Sequence, residues 1–247
     1  MCGTCGCSAP DVTVDGRHHH DDGPEARRVV TLERDLLAKN DALAARNRTR
    51  LAADGTFAVN LVSSPGAGKT TLLIATIRAL AGRVPLGVVE GDQASDHDAA
   101  RIRATGVAAV QVNTGKGCHL DAAMIARALD RGVAPARGIL FIENVGNLVC
   151  PAGFDLGEAG KVVVASVTEG DDKPLKYPDI FAAAELVLVN KADLRPHVAF
   201  DLDRFAAAAR RLNPEVAVTT VSAVTGEGLA GWLDWLERAH AAAARAA

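Results

Sequence analysis

Three groups of residues in this chain have types and spacings that can do chemistry. The first is the run VNLVSSPGAGKTTLL, where an apolar, strand-like segment feeds a glycine-rich turn and then a helix-like segment. Backbone N–H groups in such a turn, aimed by a helix N-terminus, cradle a triphosphate. Gly66 and Gly68, on either side of Ala67, let the backbone come close; Lys69 reaches the β- and γ-phosphates; the Thr70 hydroxyl, followed by Thr71, is offered to Mg²⁺. Ser63 stands where the usual pattern has its first glycine, which leaves the working residues untouched. A strand pattern before the turn and a helix pattern after it argue against a chance glycine-rich loop.

The second group is VLVNKAD. A strand ending in Asn190-Lys191-x-Asp193 puts the Asp193 carboxylate where it can accept from guanine N1–H and N2–H₂, a donor pair that adenine lacks. Asn190 would tie the loops together and hold the base, and the Lys191 stem would lie along the base face. In the later stretch TVSAVTGEG, Ser222 and Ala223 sit where GTPases contact the guanine oxygen through backbone. Between the two motifs, Asp92 closes VVEGD and Glu143 closes ILFIE. Acidic residues at strand ends can orient Mg²⁺, so Asp92 and Glu143 join Lys69 as candidate catalytic residues, and Gly146 can offer its N–H to the γ-phosphate. Solvated helix capping is the alternative for Asp92, Asp96 and Asp98; it suits Asp96 best and Asp92 less. No side chain stands out as positioning an attacking water. Slow intrinsic GTP turnover is therefore expected, below the about 1–100 s⁻¹ of efficient kinases.

The third group is thiols and imidazoles. Cys118 and His119 are adjacent in TGKGCHLD, and Cys150 comes shortly after Glu143 in ENVGNLVCP. Two soft sulfurs and an imidazole can hold Zn²⁺ or Ni²⁺, and three ligands from one chain leave room for a site shared across a dimer. A lone cysteine is also often a small buried apolar residue, and on these residues alone both readings stay open. The remaining cysteines, Cys2, Cys5 and Cys7, crowd into the first seven residues. An arm without its own fold can wrap one ion in closely spaced thiolates, square-planar for Ni²⁺ or closed tetrahedrally by another group for Zn²⁺. A redox Cys-x-x-Cys is the alternative, but no βαβ pattern surrounds it. His18, His19 and His20, with Asp21 and Asp22, are weak additional ligands or a solvated stretch.

These residues need a scaffold, and the rest of the chain supplies one. Residues 1–28 hold almost no large apolar side chain and are expected to be a disordered metal-binding arm. From Val29 to Ala53 leucines recur near a helical period, giving a leading helix over 29–54 that Gly55 stops. Seven short Val- and Ile-rich runs then alternate with helical stretches up to an amphipathic last helix carrying Trp232, Trp235 and Leu236. Non-alternating strands separated by helices mean an α/β domain over 29–247 with a mainly parallel sheet flanked by helices, in the manner of a P-loop NTPase. A net charge of −3 gives no reason to expect nucleic acid as a partner. No run approaches the roughly 18 apolar residues of a membrane span, and no secretory signal pattern opens the chain, so a cytoplasmic protein is expected.

The combination of Cys-x-x-Cys-Gly-Cys, the short His run, SSPGAGKTT, EGD, GKGCHLDA, ENVGNLVCP and NKAD closely resembles the nickel-incorporation GTPase family HypB, which serves [NiFe]-hydrogenase maturation. The resemblance runs from Met1 to the last helix, and ENVGNLVCP with GCH is more specific than the phosphate loop. Glu143 stands where many GTPases carry Asp, similar to the family's own pattern. The resemblance implies a P-loop GTPase that cycles between GTP and GDP and is a homodimer when GTP- or metal-bound. It implies metal sites at Cys2, Cys5 and Cys7 and at Cys118, His119 and Cys150. It also implies two partners, a zinc-containing nickel-accessory protein and the hydrogenase large-subunit precursor. The urease accessory GTPase UreG is the nearest confusable relative, but it would not explain the cysteine-rich start. The competing functions are a nickel or zinc buffer whose nucleotide site is structural, and a P-loop kinase, for which no substrate clamp or Arg-rich lid is evident.

Overall fold

The computed structural model describes residues 11–14, 17–20, 24–93, 97–115 and 117–246, as backbone course alone up to residue 33. Strands β1 (Asp11–Val14) and β2 (Arg17–His20) form an antiparallel pair, with Val14 opposite Arg17. Helix α1 (Pro24–Ala53) begins before the expected Val29. Proline has no N–H to lose in a first turn, and its fixed φ suits a helix start.

Strands β3 (Phe57–Ser63), β4 (Leu86–Asp92), β5 (Ala108–Asn113), β6 (Ile139–Glu143), β7 (Gly160–Ser166), β8 (Leu186–Asn190) and β9 (Ala217–Thr220) make one sheet in the order β5-β4-β6-β3-β7-β8-β9. Every pairing in it is parallel. These are the seven runs expected from composition. Helices α2 (Lys69–Leu80), α3 (His97–Arg103), α4 (Ala122–Leu129), α5 (Lys173–Lys176), α6 (Pro178–Ala182), α7 (Leu202–Leu212) and α8 (Leu229–Ala246) fill the crossovers and cover the sheet.

The period of two along each strand divides the core into layers. From β3, Val59 and Leu61 meet Leu72, Leu73 and Ile77 of α2 and Trp232 and Leu236 of α8 on one face. On the other face Ala58 packs with Leu51 of α1 and Ile125 and Leu129 of α4, while Val62 packs with Phe181 of α6 and Phe205 of α7. Each fully buried large apolar side chain is worth about 1.5–3 kcal/mol, which is why strands this apolar end up sandwiched. The last helix is latched as well as packed, since Trp232 Nε1 donates to Thr76 Oγ1 at 2.8 Å in the interior. Among the described residues no helix is long and apolar enough to cross a membrane.

Strand register aligns the acidic side chains at one edge of the sheet. Parallel pairing places Glu90 of β4 opposite Glu143 of β6, so both carboxylates leave the same face at the C-terminal ends of adjacent strands. Ligands of open α/β sheets bind at that edge.

Candidate functional site

The turn between β3 and α2 encloses a cleft of 440 Å³ lined by Ser64 to Thr71 together with Glu90, Asp92, Asp98, Arg101 and Glu143 to Gly146. Gly68 has φ +88°, and a Cβ there would lie 2.6 Å from Asn190 Nδ2, so no side chain fits. Gly146 is similarly close, with a Cβ position 3.1 Å from Pro65 Cα. Lys69 Nζ is 2.9 Å from Glu143 Oε1, and the Thr70 hydroxyl donates to the same oxygen at 2.6 Å. Asp98 Oδ2 also meets the Thr70 hydroxyl, at 3.0 Å, while its Oδ1 is bridged to Arg101 at 2.9 Å. Asp98 therefore faces the phosphate loop instead of serving only as a solvated cap. Asp92 lines the cleft and accepts from Gln93 N at 2.7 Å.

Glu90 and Glu143 are 3% and 1% exposed, and the Oε2 atom of each is buried without a hydrogen-bond partner among the described residues. Burial, reinforced by the negative charges of Glu143 and Asp92, pushes the Glu90 carboxyl up to about 8. Orphaned carboxylate oxygens beside a hydroxyl are a hard, all-oxygen donor set, and they fit Mg²⁺. Thr70, Asp98 and Glu143 would hold it, in a cleft that Glu90 and Asp92 also line.

Asn190 and Lys191 tie the phosphate loop to the loop after β9. Asn190 Nδ2 donates to Ala67 O at 2.9 Å, and its Oδ1 accepts from Ala223 N at 3.2 Å. Lys191 adopts the left-handed conformation, φ 59°, and its Nζ reaches Gly66 O at 2.7 Å. Asp193 Oδ1 accepts from the Ser222 hydroxyl at 2.5 Å, and Ser222 Oγ accepts from Val224 N and Thr225 N, which shapes the last loop. Beside Asp193 a second hollow is lined by Ala192, Arg195, Phe200 and Glu227.

A separate cluster lies next to the switch-like segment after β6. The ligand atoms of Cys118, His119 and Cys150 all fall within 4.8 Å of one another. The two sulfurs are 2.8 Å apart and form no disulfide, and Cys118 Sγ is 3.6 Å from His119 Nδ1. The His119 ring packs on Phe154 with centroids 4.0 Å apart. Burial holds the imidazole below its usual pKa, so the neutral, lone-pair-bearing form prevails near neutrality. Two thiols and a neutral imidazole are soft and borderline ligands suited to Ni²⁺ or Zn²⁺.

The structure thus brings together the residues singled out between Gly66 and Ala223, and separately Cys118, His119 and Cys150. Cys2, Cys5, Cys7 and Asp96 lie outside the described residues, and of His18, His19 and His20 only the β2 backbone is seen. Sequence reasoning missed Glu90, although a charge inside an apolar strand, two residues before Asp92, was a usable signal. It also missed Lys173, whose Nζ donates to Ser64 Oγ at 3.2 Å from a segment about a hundred residues away, which no local pattern announces.

Residues 57–220 match the family described as CobW/HypB/UreG, nucleotide-binding domain. The chain is 61% identical over 227 residues to "Hydrogenase maturation factor HypB" of Azotobacter chroococcum, covering 92% of this chain and 74% of that one. Its fold superposes on the crystal structure of hydrogenase maturation factor HypB from Archaeoglobus fulgidus with a TM-score of 0.77 at 42% identity, over 82% of this chain and 99% of that one. Similarity extends to HypB from Helicobacter pylori in complex with nickel, at a TM-score of 0.78 and 39% identity over 82% of this chain and 95% of that one. A phosphate loop, an Asn-Lys-x-Asp strand end and a Cys-His-Cys cluster, in a chain this similar to those proteins, place it in the HypB family of hydrogenase maturation factors.

Proposed function

We propose that this chain is a GTP-hydrolysing nickel metallochaperone that couples GTP-dependent homodimerisation to delivery of nickel into a [NiFe]-hydrogenase precursor. The observation that carries the proposal is the position of Cys150: it shares one short segment with Glu143, which touches Lys69 and Thr70, and it completes the Cys118–His119 cluster. The relatives' names, hydrogenase maturation factor in several and a nickel complex in one, support the same cargo and recipient.

In this reading GTP lies along residues 66–71, with the guanine between Lys191 and Ala223 and read by Asp193. Mg²⁺ bound beside Thr70 would neutralise charge on the β- and γ-phosphate oxygens. Lys69 now pairs with Glu143 in a spot where the Lys69 and Glu143 side chains are 10% and 2% exposed. A triphosphate competes for that ammonium. When Lys69 turns to it, Glu143 loses its cationic partner, and the segment through Gly146 to Cys150 can respond. Hydrolysis restores the pairing and resets the metal ligands. Nickel is the cargo, held by Cys118, His119 and Cys150, and Zn²⁺ competes for the same donors.

Residues 1–28 form a second metal-binding unit through Cys2, Cys5 and Cys7, and residues 29–247 form the GTPase domain. The protein works in the cytoplasm, where thiols stay reduced, and docks a zinc-containing nickel-accessory protein and the hydrogenase large-subunit precursor. The test is phosphate release from GTP and from ATP, alongside sedimentation of the GDP-loaded and GTP-analogue-loaded chain. Slow release from GTP alone and a dimer with the analogue are expected. ATP hydrolysed as well as GTP, or an unassisted turnover of about 1–100 s⁻¹, contradicts the proposal.

A further inference from the structure

Successive residues at the end of β6 point to opposite faces of the sheet. Glu143 faces the phosphate loop. Asn144, 1% exposed, faces the other side, where the metal loop passes. Its Oδ1 accepts from Leu120 N at 3.1 Å and from Val145 N at 3.0 Å, and its Nδ2 donates to Asn60 Oδ1 at 3.3 Å. Asn60 is anchored in turn, donating to Glu158 Oε1 at 3.0 Å. Leu120 directly follows His119 and is 0% exposed, so water has no route to replace Asn144 at its N–H. A second line of contact runs from Asn147 Nδ2 to Cys118 O, at 3.4 Å.

The same short segment is therefore gripped from two sides. Glu143 holds Lys69 and Thr70, and the Gly146 backbone abuts Pro65. One residue after Glu143, an amide holds the loop that carries two of the three metal ligands. Resting on the GTPase and metal reading above, we propose that Asn144 is the positioning residue that transmits the state of the phosphate loop to the Cys118–His119–Cys150 cluster through the Leu120 N–H. When residues 143–146 shift, that buried N–H must move with Asn144 or go unpaired, and moving with it displaces Cys118 and His119 relative to Cys150. Buried groups that cannot be left unsatisfied transmit displacement because the intermediate positions are costly.

The test uses the chain carrying Cys2→Ser, Cys5→Ser and Cys7→Ser, so that Ni²⁺ reports on the cluster alone. Ni²⁺ affinity is measured with GDP bound and with a non-hydrolysable GTP analogue bound. In that parent the two affinities should differ by about tenfold. Asn144→Ala should bring them within about twofold of each other, and Asn144→Asp, which keeps an acceptor for Leu120 N–H, should retain most of the difference. A full difference in Asn144→Ala overturns the proposal and leaves the switch reading standing. No difference in the parent overturns the switch reading and the proposal with it. Because Asn144→Ala can fail to fold, residue-resolved hydrogen exchange on the unsubstituted chain gives a second readout. The Leu120 amide should stay protected with GDP and with the analogue, because its N–H moves together with Asn144. Loss of that protection in either state, alongside nucleotide-dependent Ni²⁺ affinity, overturns the proposal.

Discussion

Cys118 and Cys150 come after different strands, β5 and β6, yet their sulfurs lie 2.8 Å apart. The sheet order β5-β4-β6 makes this meeting possible, because all three strands end at the same edge and only β4 separates the other two. The cluster is thus assembled by the topology, one ligand pair from the loop after β5 and the third from the segment after Glu143. Replacing Cys150 with serine removes a soft ligand and should weaken Ni²⁺ binding by at least about tenfold when the N-terminal cysteines are also serines. Competitive titration checks this. Affinity should also rise with pH, since both thiols must lose their protons to bind the ion.

Asp193 accepts from the Ser222 hydroxyl and lines the hollow between the loops after β8 and β9. Asp193→Asn exchanges an acceptor for a donor, so the loss of GTP affinity should be at least about a hundredfold, with xanthosine nucleotide gaining. Binding of labelled nucleotides reads this out. Unchanged GTP binding would remove Asp193 from guanine recognition.

Glu90 makes stability depend on pH. Its folded pKa of about 8 lies above that of a free carboxyl, so between those values the folded chain keeps a proton that the unfolded chain has released. Stability of the nucleotide- and Mg²⁺-free protein should therefore fall as pH rises through that window. Glu90→Gln should flatten the trend. Thermal unfolding at about pH 5 and about pH 8 compares the two proteins, and an equally steep decline in Glu90→Gln would assign the effect elsewhere.

Thr76 and Trp232 latch α8 to α2. Thr76→Val keeps the shape but leaves the buried indole N–H unpaired, at a cost of about 1–3 kcal/mol. Denaturant unfolding measures it, and no loss would mean that packing alone holds the last helix.

The fold was legible because its signals are local. The seven apolar runs, the glycine-rich turn and the Asn-Lys-x-Asp strand end each announce themselves within a few residues, and the strands formed where Val and Ile cluster. The Cys118–His119–Cys150 cluster was half legible: residue type suggested metal, but only the strand order brings Cys150 to the other two. Asp98 was left open, because a carboxylate in the first turn of a helix is indistinguishable in sequence from a cap until its distance to Thr70 is known. Asn144 and Lys173 were not legible. Their partners, Leu120 and Ser64, are set by which face of the sheet each side chain leaves and by a contact between distant segments.

Control of the metal by the nucleotide is tested most directly by a competitive Ni²⁺ titration. The chain, with serine at positions 2, 5 and 7, is loaded first with GDP and then with a non-hydrolysable GTP analogue, and nucleotide affinity is measured in turn with and without Ni²⁺. A nucleotide-driven switch requires the two Ni²⁺ affinities to differ, and the nucleotide affinities to shift by the same factor when Ni²⁺ is added. Identical Ni²⁺ affinities in both states would contradict it, leaving the cluster a metal site that GTP does not govern.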